Sequence, residues 1–222
     1  GVLLVVGLDV AALATSAHDA GYRVHVADFF GDLDVRAVAD RFLSLIRQVP
    51  GRPCSRICRA FSEEGLVKLA QRMAGDCSFD GILLSSGLED STRALKTLED
   101  IAPLLGNTSE AITRVRDRRS FFESLERYGI PHPRTCLVSS QSEATRAARE
   151  LGYPVVVKAN VGVGGANVRL VRNEAGLARA IHAWGEALVQ KYVEGVAVST
   201  SIIGTSSRSV TLTVNRQLLG LR

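Results

Sequence analysis

The stretch Tyr153-Pro-Val-Val-Val-Lys158-Ala-Asn-Val-Gly162-Val-Gly164-Gly165-Ala-Asn167 constrains this chain more than any other. A short β-branched run of this kind reads as a core strand, and it delivers one lysine to its end. An ammonium at the edge of such a strand is costly unless an anion meets it. Three glycines follow at once, and glycine lets backbone N–H groups approach phosphate with no Cβ in the way. Together they point to a polyphosphate clamp, and so to a nucleotide site. Each part has a plainer alternative. A lysine can snorkel from a strand end, and glycines can simply turn a hairpin. The second explanation weakens when three glycines stand beside the lysine.

The rest of the chain is organised in two styles. Leu3 to Val6 reads as a buried strand, followed by a helix with Val10, Leu13, Ala14 and Ala17 on one face. Val24 to Ala27 is a second strand closed by Asp28. Ser62 is placed to N-cap a helix bearing Leu66, Leu69, Ala70 and Met73, and Gly81 to Leu84 is a third strand. Strands alternating with helices imply a parallel, doubly wound sheet. From Asn107 to Pro133 the pattern changes: Phe121, Leu125 and Tyr128 mark a short helix, and Gly129-Ile-Pro131-His-Pro133 breaks it. A strand at 135–138 follows, then a helix opened by a Ser140/Glu143 capping-box pattern and the lysine-bearing strand. Val168 to Val171 reads as its hairpin partner, a helix capped by Asn173 carries Leu177, Ile181 and Trp184, and strands follow at 187–193, 198–203 and 210–214. This order suits a small antiparallel sheet backed by two helices, a layer able to close over a nucleotide as a lid.

With 222 residues, 46% hydrophobic, the chain is long enough for one large or two small well-cored domains. The formal net charge is only +4, and the densest basic cluster, Arg114, Arg116, Arg118 and Arg119, reads as a solvated face or a phosphate contact rather than a nucleic-acid patch. Nucleic acid is therefore not an expected partner. No apolar run is long enough to span a membrane, and Val2 to Val6 lacks the basic flank of a signal peptide; a soluble, cytoplasmic protein is expected. The chain begins at Gly1 rather than Met, which fits processing or trimming. Cys54 and Cys58 stand alone as a C-x3-C pair, and Cys77 and Cys136 add no second pair; reduced, partly buried thiols are the expectation rather than zinc. The four histidines show no metal spacing.

Several segments resemble the ATP-grasp superfamily of carboxylate–amine ligases. Asp117-Arg118 with Phe121-Phe122, Leu125, Gly129-Ile130 and Pro133 resembles its opening helix and turn; the Lys158 strand and its glycines, the phosphate-binding strand and loop; Leu188-Val-Gln190-Lys191-Tyr192-Val193-Glu194-Gly195, the adenine-binding linker. The resemblance runs from about Arg116 to about Gln217. It implies an N-terminal doubly wound α/β domain over 1–108, an ATP-grasp small subdomain over 109–195, and the start of the large subdomain over 196–222. Within the superfamily, Phe30-Gly-Asp-Leu-Asp34, Ser86-Gly-Leu-Glu89, Leu104-Leu-Gly-Asn107 and Val214-Asn-Arg-Gln217 resemble a subgroup of predicted ATP-dependent carboligases, whose relatives include enzymes joining amino acids to one-carbon coenzymes such as methanofuran.

The resemblance implies ATP-dependent activation of a carboxylate as an acyl phosphate, then attack by an amine with release of ADP and phosphate. Moving a phosphoryl group is mostly positioning and charge stabilisation. Lys158 is then the contact to the α- and β-phosphates, with Gly162, Gly164 and Gly165 covering them. Arg118 stands where the family usually carries a lysine, Arg119 being the alternative register. Gln190 takes the place of the usual adenine-binding glutamate, and the backbones of Lys191 and Val193 read the adenine edge. Ala197 falls where a ribose-binding glutamate is expected. Arg216 is the candidate for holding the acyl phosphate or substrate carboxylate by a bidentate pair, with an unliganded strand-edge arginine as its plain counterpart. Glu89, at a strand's carboxyl end, is a candidate for the amine.

Members of the family hold Mg2+ with a Glu and a Glu-x-Asn on later strands. No acidic pair follows Asn215, so no metal ligand is assigned within these residues, and a fragment is favoured over a non-catalytic member. ATP, Mg2+, and small carboxylate and amine substrates are the expected partners; a homodimer stays open. Two other functions compete: an ATP-binding module without catalysis, and an NAD(P)-binding oxidoreductase using Gly7 and Asp28. The second is disfavoured because Gly7-Leu-Asp-Val-Ala-Ala lacks the spaced glycines of a dinucleotide loop.

Overall fold

The computed structural model describes residues 1–48, 51, 61–160, 165, 167–184 and 186–219. The contacts divide into two units, Gly1–His132 with Ala159–Val168, and Pro133–Lys158 with Arg169–Arg222. The expected three-part domain division is a functional partition, and this two-part division is one of contacts. Cys54 and Cys58 lie outside the described residues.

The first unit is built around β1 (Val2–Gly7), which pairs in parallel with β2 (Arg23–Asp28) on one side and β4 (Gly81–Leu84) on the other; β3 (Arg41–Ser44) extends the sheet beside β2, giving the order β3-β2-β1-β4. Successive side chains of a strand point to opposite faces. Accordingly Leu3 and Val5 join one core with α1 (Ala11–Asp19) and α2 (Leu33–Val38). Leu4 and Val6 join the other, against α3 (Glu63–Ala74) and α4 (Thr92–Glu99). The doubly wound parallel sheet anticipated from the β/α alternation is therefore present. The Ser62 side chain caps α3 by accepting from the Gly65 N–H at 3.0 Å. Elements α2, β3, α4 and α5 (Ser109–Arg116) were not anticipated.

Beyond β4, residues 103–105 run alongside it. Ile82 donates to the Pro103 carbonyl and Leu105 to the Ile82 carbonyl, both at 2.8 Å, and an isolated parallel bridge joins Ile82 to Leu104. Helix α6 (Arg118–Arg127) closes the unit; its N-cap Asp117 accepts from the N–H groups of Arg119 and Ser120.

The second unit holds a four-stranded sheet, order β5-β8-β6-β7, made of β5 (Thr135–Val138), β8 (Ala187–Lys191), β6 (Val155–Ala159) and β7 (Val168–Val171). Helices α7 (Gln141–Leu151) and α8 (Glu174–Trp184) pack on one face through Ala144, Ala147, Ala148, Leu177 and Ile181. Two corrections to the expected details apply. Strand β8 ends at Lys191 rather than Val193. The capping box at α7 is displaced: Ser140 accepts from the Glu143 N–H at 3.3 Å, but the Glu143 carboxylate takes the N–H of Ser139, at 2.8 Å, instead of that of Ser140. A ribbon of β9 (Val198–Gly204) and β10 (Ser209–Arg216) pairs antiparallel, with a register shift between Thr211 and Thr213. No helix among the described residues is long and apolar enough to cross a membrane.

Gly7 shows how tightly β1 meets β4. A Cβ there would stand 2.6 Å from the Ser85 Cβ and 3.0 Å from its Cα. The backbone neighbour cannot swing away, so Gly7→Ala is expected to lower unfolding free energy by about 1–3 kcal/mol, as overpacking does. Urea denaturation of the two proteins checks it, and an unchanged midpoint would show that the strands can part without cost.

Candidate functional site

The helices of the second unit cover only one face of its sheet, and that decides where its polar side chains go. Val155 and Val157 belong to the helix-side core, so alternation puts Val156 and Lys158 on the open face. The expected fully buried Val-Val-Val run is thus buried only at alternate positions. Along β8, Ala187 and Val189 face the helices. Leu188 and Gln190 face the open side, Gln190 being only 7% exposed. Along β5, Cys136 and Val138 pack into the helix-side core, leaving Thr135 and Leu137 open. Three neighbouring strands therefore present Thr135, Gln190 and Lys158 beside Leu137, Leu188 and Val156.

Gln190 is oriented by a partner 55 residues away. Its Nε2 donates to Thr135 Oγ1 at 2.7 Å, and Thr135 Oγ1 donates to the Pro133 carbonyl at 2.8 Å. A hydroxyl has one proton. With that proton committed to Pro133, Thr135 must accept from the amide, which leaves Gln190 Oε1 as the group free to accept elsewhere. Thr135 was not anticipated, and only strand register could have revealed it. Lys191 is exposed, and its N–H donates to the Arg134 carbonyl at 2.9 Å, so its carbonyl is the backbone group left to meet a ligand. Val193 lies past the end of β8 and is 63% exposed.

After β6, the Ala159 N–H donates to the Asn167 carbonyl at 3.0 Å and the Val168 N–H to the Gly165 carbonyl at 3.2 Å. Gly165 adopts φ +73° with open space where a Cβ would project, so its backbone conformation is what asks for glycine. Gly162 and Gly164 lie outside the described residues. Arg216 ends β10 opposite Val198 and is exposed; it belongs to the β9–β10 ribbon and not to the sheet of Lys158 and Gln190.

Arg118, in the first unit, is half-buried where its alternative Arg119 is exposed. Burial, with Arg116 as a like-charged neighbour, draws its guanidinium below the ordinary range. Its Nε is buried with no hydrogen-bond partner. Arg116 itself is engaged, its Nε donating to Asp90 Oδ1 at 2.7 Å.

The carboxyl end of the first sheet carries a second group of polar residues. Asp28 Oδ2 accepts from the Gly31 N–H at 2.6 Å, while Oδ1 is buried with no partner. Burial pushes this carboxyl above its ordinary value, and the charge of Asp32 adds to the effect. Asp32 is raised too, by burial and by Asp34 and Asp9. These facts disfavour a dinucleotide site: Gly7 is packed on Ser85, and Asp28 serves its own loop rather than a ribose. Near Asp9 and Glu89, the Leu8 N–H donates to the Ser86 carbonyl at 2.8 Å and the Ser85 hydroxyl to the Asp9 carbonyl. No group of three or more His, Cys, Asp or Glu that could hold a metal ion occurs among the described residues.

Compared with known proteins, residues 115–222 match the family of ATP-grasp domains. Residues 115–222 belong to the ATP-grasp superfamily. Relatives include the carbamoyl phosphate synthase large chain of Rubrobacter xylanophilus, 36% identical over 99 residues, 44% of this chain and 9% of that one. The same protein of Pyrobaculum aerophilum is 34% identical over 125 residues, 54% of this chain and 12% of that one. The chain thus spans about a tenth of these relatives. Among solved structures, the biotin carboxylase domain of Hydrogenobacter thermophilus 2-oxoglutarate carboxylase, a dimer with MgADP, ADP and bicarbonate, matches with TM-score 0.71 at 21% identity, covering 96% of this chain and 49% of that one. N5-carboxyaminoimidazole synthetase of Staphylococcus aureus, complexed with ADP, gives 0.70 at 23%, covering 97% and 54%. These likenesses show the fold: a doubly wound α/β domain followed by an ATP-grasp domain.

The raised Asp28 carboxyl has a pH signature. It holds its proton more tightly folded than unfolded, so its contribution favours folding below the ordinary value of 3.8 and is lost as pH rises through the folded value. Asp28→Asn keeps an acceptor for Gly31 without the charge. Its melting temperature is expected to gain on the parent's as pH rises from about 3 to 7; a gap that stays flat, or closes with rising pH, would contradict the assigned shift.

Proposed function

We propose that this chain binds ATP as part of a cytoplasmic ATP-dependent ligase, which activates a carboxylate as an acyl phosphate for attack by an amine and releases ADP and phosphate. The observation that carries this reading is the open face of β5-β8-β6. One ammonium, one oriented amide carbonyl and an apolar floor occur there together, in a segment that belongs to the ATP-grasp superfamily. An adenine needs an apolar surface and an acceptor for its amino group, which Leu188 and Gln190 Oε1 supply. A polyphosphate needs cations and backbone donors, which Lys158 and the loop of Gly162, Gly164 and Gly165 supply. The Lys191 carbonyl and the Val193 backbone serve the adenine edge, and the half-buried Arg118 is assigned as a further cation for the phosphates. Arg216 is assigned to the acyl phosphate or substrate carboxylate. Bound ATP supplies the phosphoryl group that makes the carboxylate carbon electrophilic.

In this reading 1–108 is the pre-ATP-grasp domain, 109–195 the small subdomain and 196–222 part of the large one. Mg2+ acts with ATP through ligands other than the described residues, and the ADP complexes of the solved relatives support the nucleotide assignment. A homodimer, like the Hydrogenobacter domain, belongs to the same reading. Placement in coenzyme biosynthesis is supported by the carboligase-like segments of the first unit.

Isothermal titration with ATP and Mg2+ tests the placement. Lys158→Ala removes one charge-assisted contact and is expected to weaken ATP by about 10- to 100-fold. Unchanged affinity would remove the nucleotide site from this strand.

A further inference from the structure

A cavity of about 530 Å³ opens at the carboxyl end of β4 in the first unit. We propose that it is a subsite for a primary amine with an extended apolar body, which deepens the ligase reading by naming the class of its amine substrate. The position follows from topology. Strand order β3-β2-β1-β4 reverses direction between β1 and β4, and open parallel sheets bind ligands outside the carboxyl ends at such a point. The bridge from Ile82 to Leu104 then carries Leu105 and Asn107 to the same edge.

The lining decides the chemistry. Leu84, Leu88, Leu105 and Ile112 supply apolar wall beside the neutral polar Ser85, Ser86 and Asn107, and Glu89 is the single charged residue among the lining side chains. No lysine, arginine or histidine is among them, so nothing there would neutralise a phosphate or carboxylate. One Glu89 oxygen accepts from the Gly87 N–H at 2.7 Å. No ion pair to Glu89 occurs among the described residues, and the nearby Arg116 is held by Asp90. The carboxylate therefore keeps acceptor capacity for an ammonium. Among the described residues Asp9 and Asp32, elsewhere on this sheet edge, have no paired cation either, and like charges along one edge reinforce the attraction for a cation. One carboxylate beside neutral hydroxyl and amide groups is a poor metal site, but with the leucine and isoleucine wall next to it, it suits an ammonium at one end of a hydrocarbon.

Binding to the intact chain without nucleotide, read by titration NMR, tests the assignment with n-hexylamine, n-hexanol, hexanoate and methylamine. Hexylamine is expected to bind about tenfold or more tighter than the other three. Glu89→Gln, which keeps an acceptor for Gly87, should bring hexylamine down to hexanol and leave hexanol unchanged. Leu105→Lys, at a position 46% exposed, should turn the preference toward hexanoate. Equal binding of amine and carboxylate, an amine preference that survives Glu89→Gln, or one that survives Leu105→Lys would overturn the proposal. Because nucleotide is absent, these failures are distinct from an unchanged ATP affinity in Lys158→Ala.

Discussion

Strand β1 is the constraint on which the first unit depends. Its residues 3–6 are at most 4% exposed, and they feed two separate cores by simple alternation. Each fully buried valine or leucine is worth about 1.5–3 kcal/mol, so four of them outweigh local costs such as the orphaned Asp28 oxygen. Burial on both faces requires helices on both faces, and parallel neighbours require crossovers to supply them. With β1, β2 and β4 all parallel, their carboxyl ends fall on one edge. Asp9, Asp28, Asp32 and Glu89 are gathered there by sheet direction alone, though up to 80 positions separate them in the sequence.

The second sheet solves a different problem. With α7 and α8 on one face only, the same alternation that buries Val155 and Val157 sends Lys158 to the uncovered side. A lysine at the end of a doubly covered strand would have to give up its water. Here the apolar work falls to odd positions of β6, and the cation costs little until a ligand covers it. On β8 both open-face side chains, Leu188 and Gln190, are buried even so, and the Thr135–Pro133 relay satisfies the Gln190 amide and fixes which end is offered outward.

Local signals were legible where one residue does one local job. Ser62 and Asn173 announced the helices they cap, and the cap bonds are present at 3.0 Å in each case. The β/α alternation gave the doubly wound sheet, and the lysine–glycine segment gave the ATP-grasp resemblance. What escaped was non-local or short. Helix α2 and strand β3 are six and four residues long, too brief for a period to emerge. The Val155–Val157 run looked wholly buried because composition does not say whether helices lie on one face or two. The role of Thr135 depends on its pairing with Gln190, and the cavity beside Glu89 depends on residues 103–105 lying against β4. Neither pairing leaves a trace in the residues themselves.

Charge segregation follows from the same two sheets. The formal net charge of +4 is small, but it is an average over surfaces of opposite sign. The open face of the second sheet offers the Lys158 ammonium and no carboxylate among the residues lining it on β5, β6 and β8; the carboxyl edge of the first offers Asp9, Asp32 and Glu89, with Asp28 buried behind them. A polyanion and an ammonium therefore have different preferred surfaces on one chain. The nearly neutral total therefore says little about either surface, and shifting it by mutations more than about 8–10 Å from a given surface should leave that surface's preference intact, because charges at that distance are largely screened at physiological ionic strength.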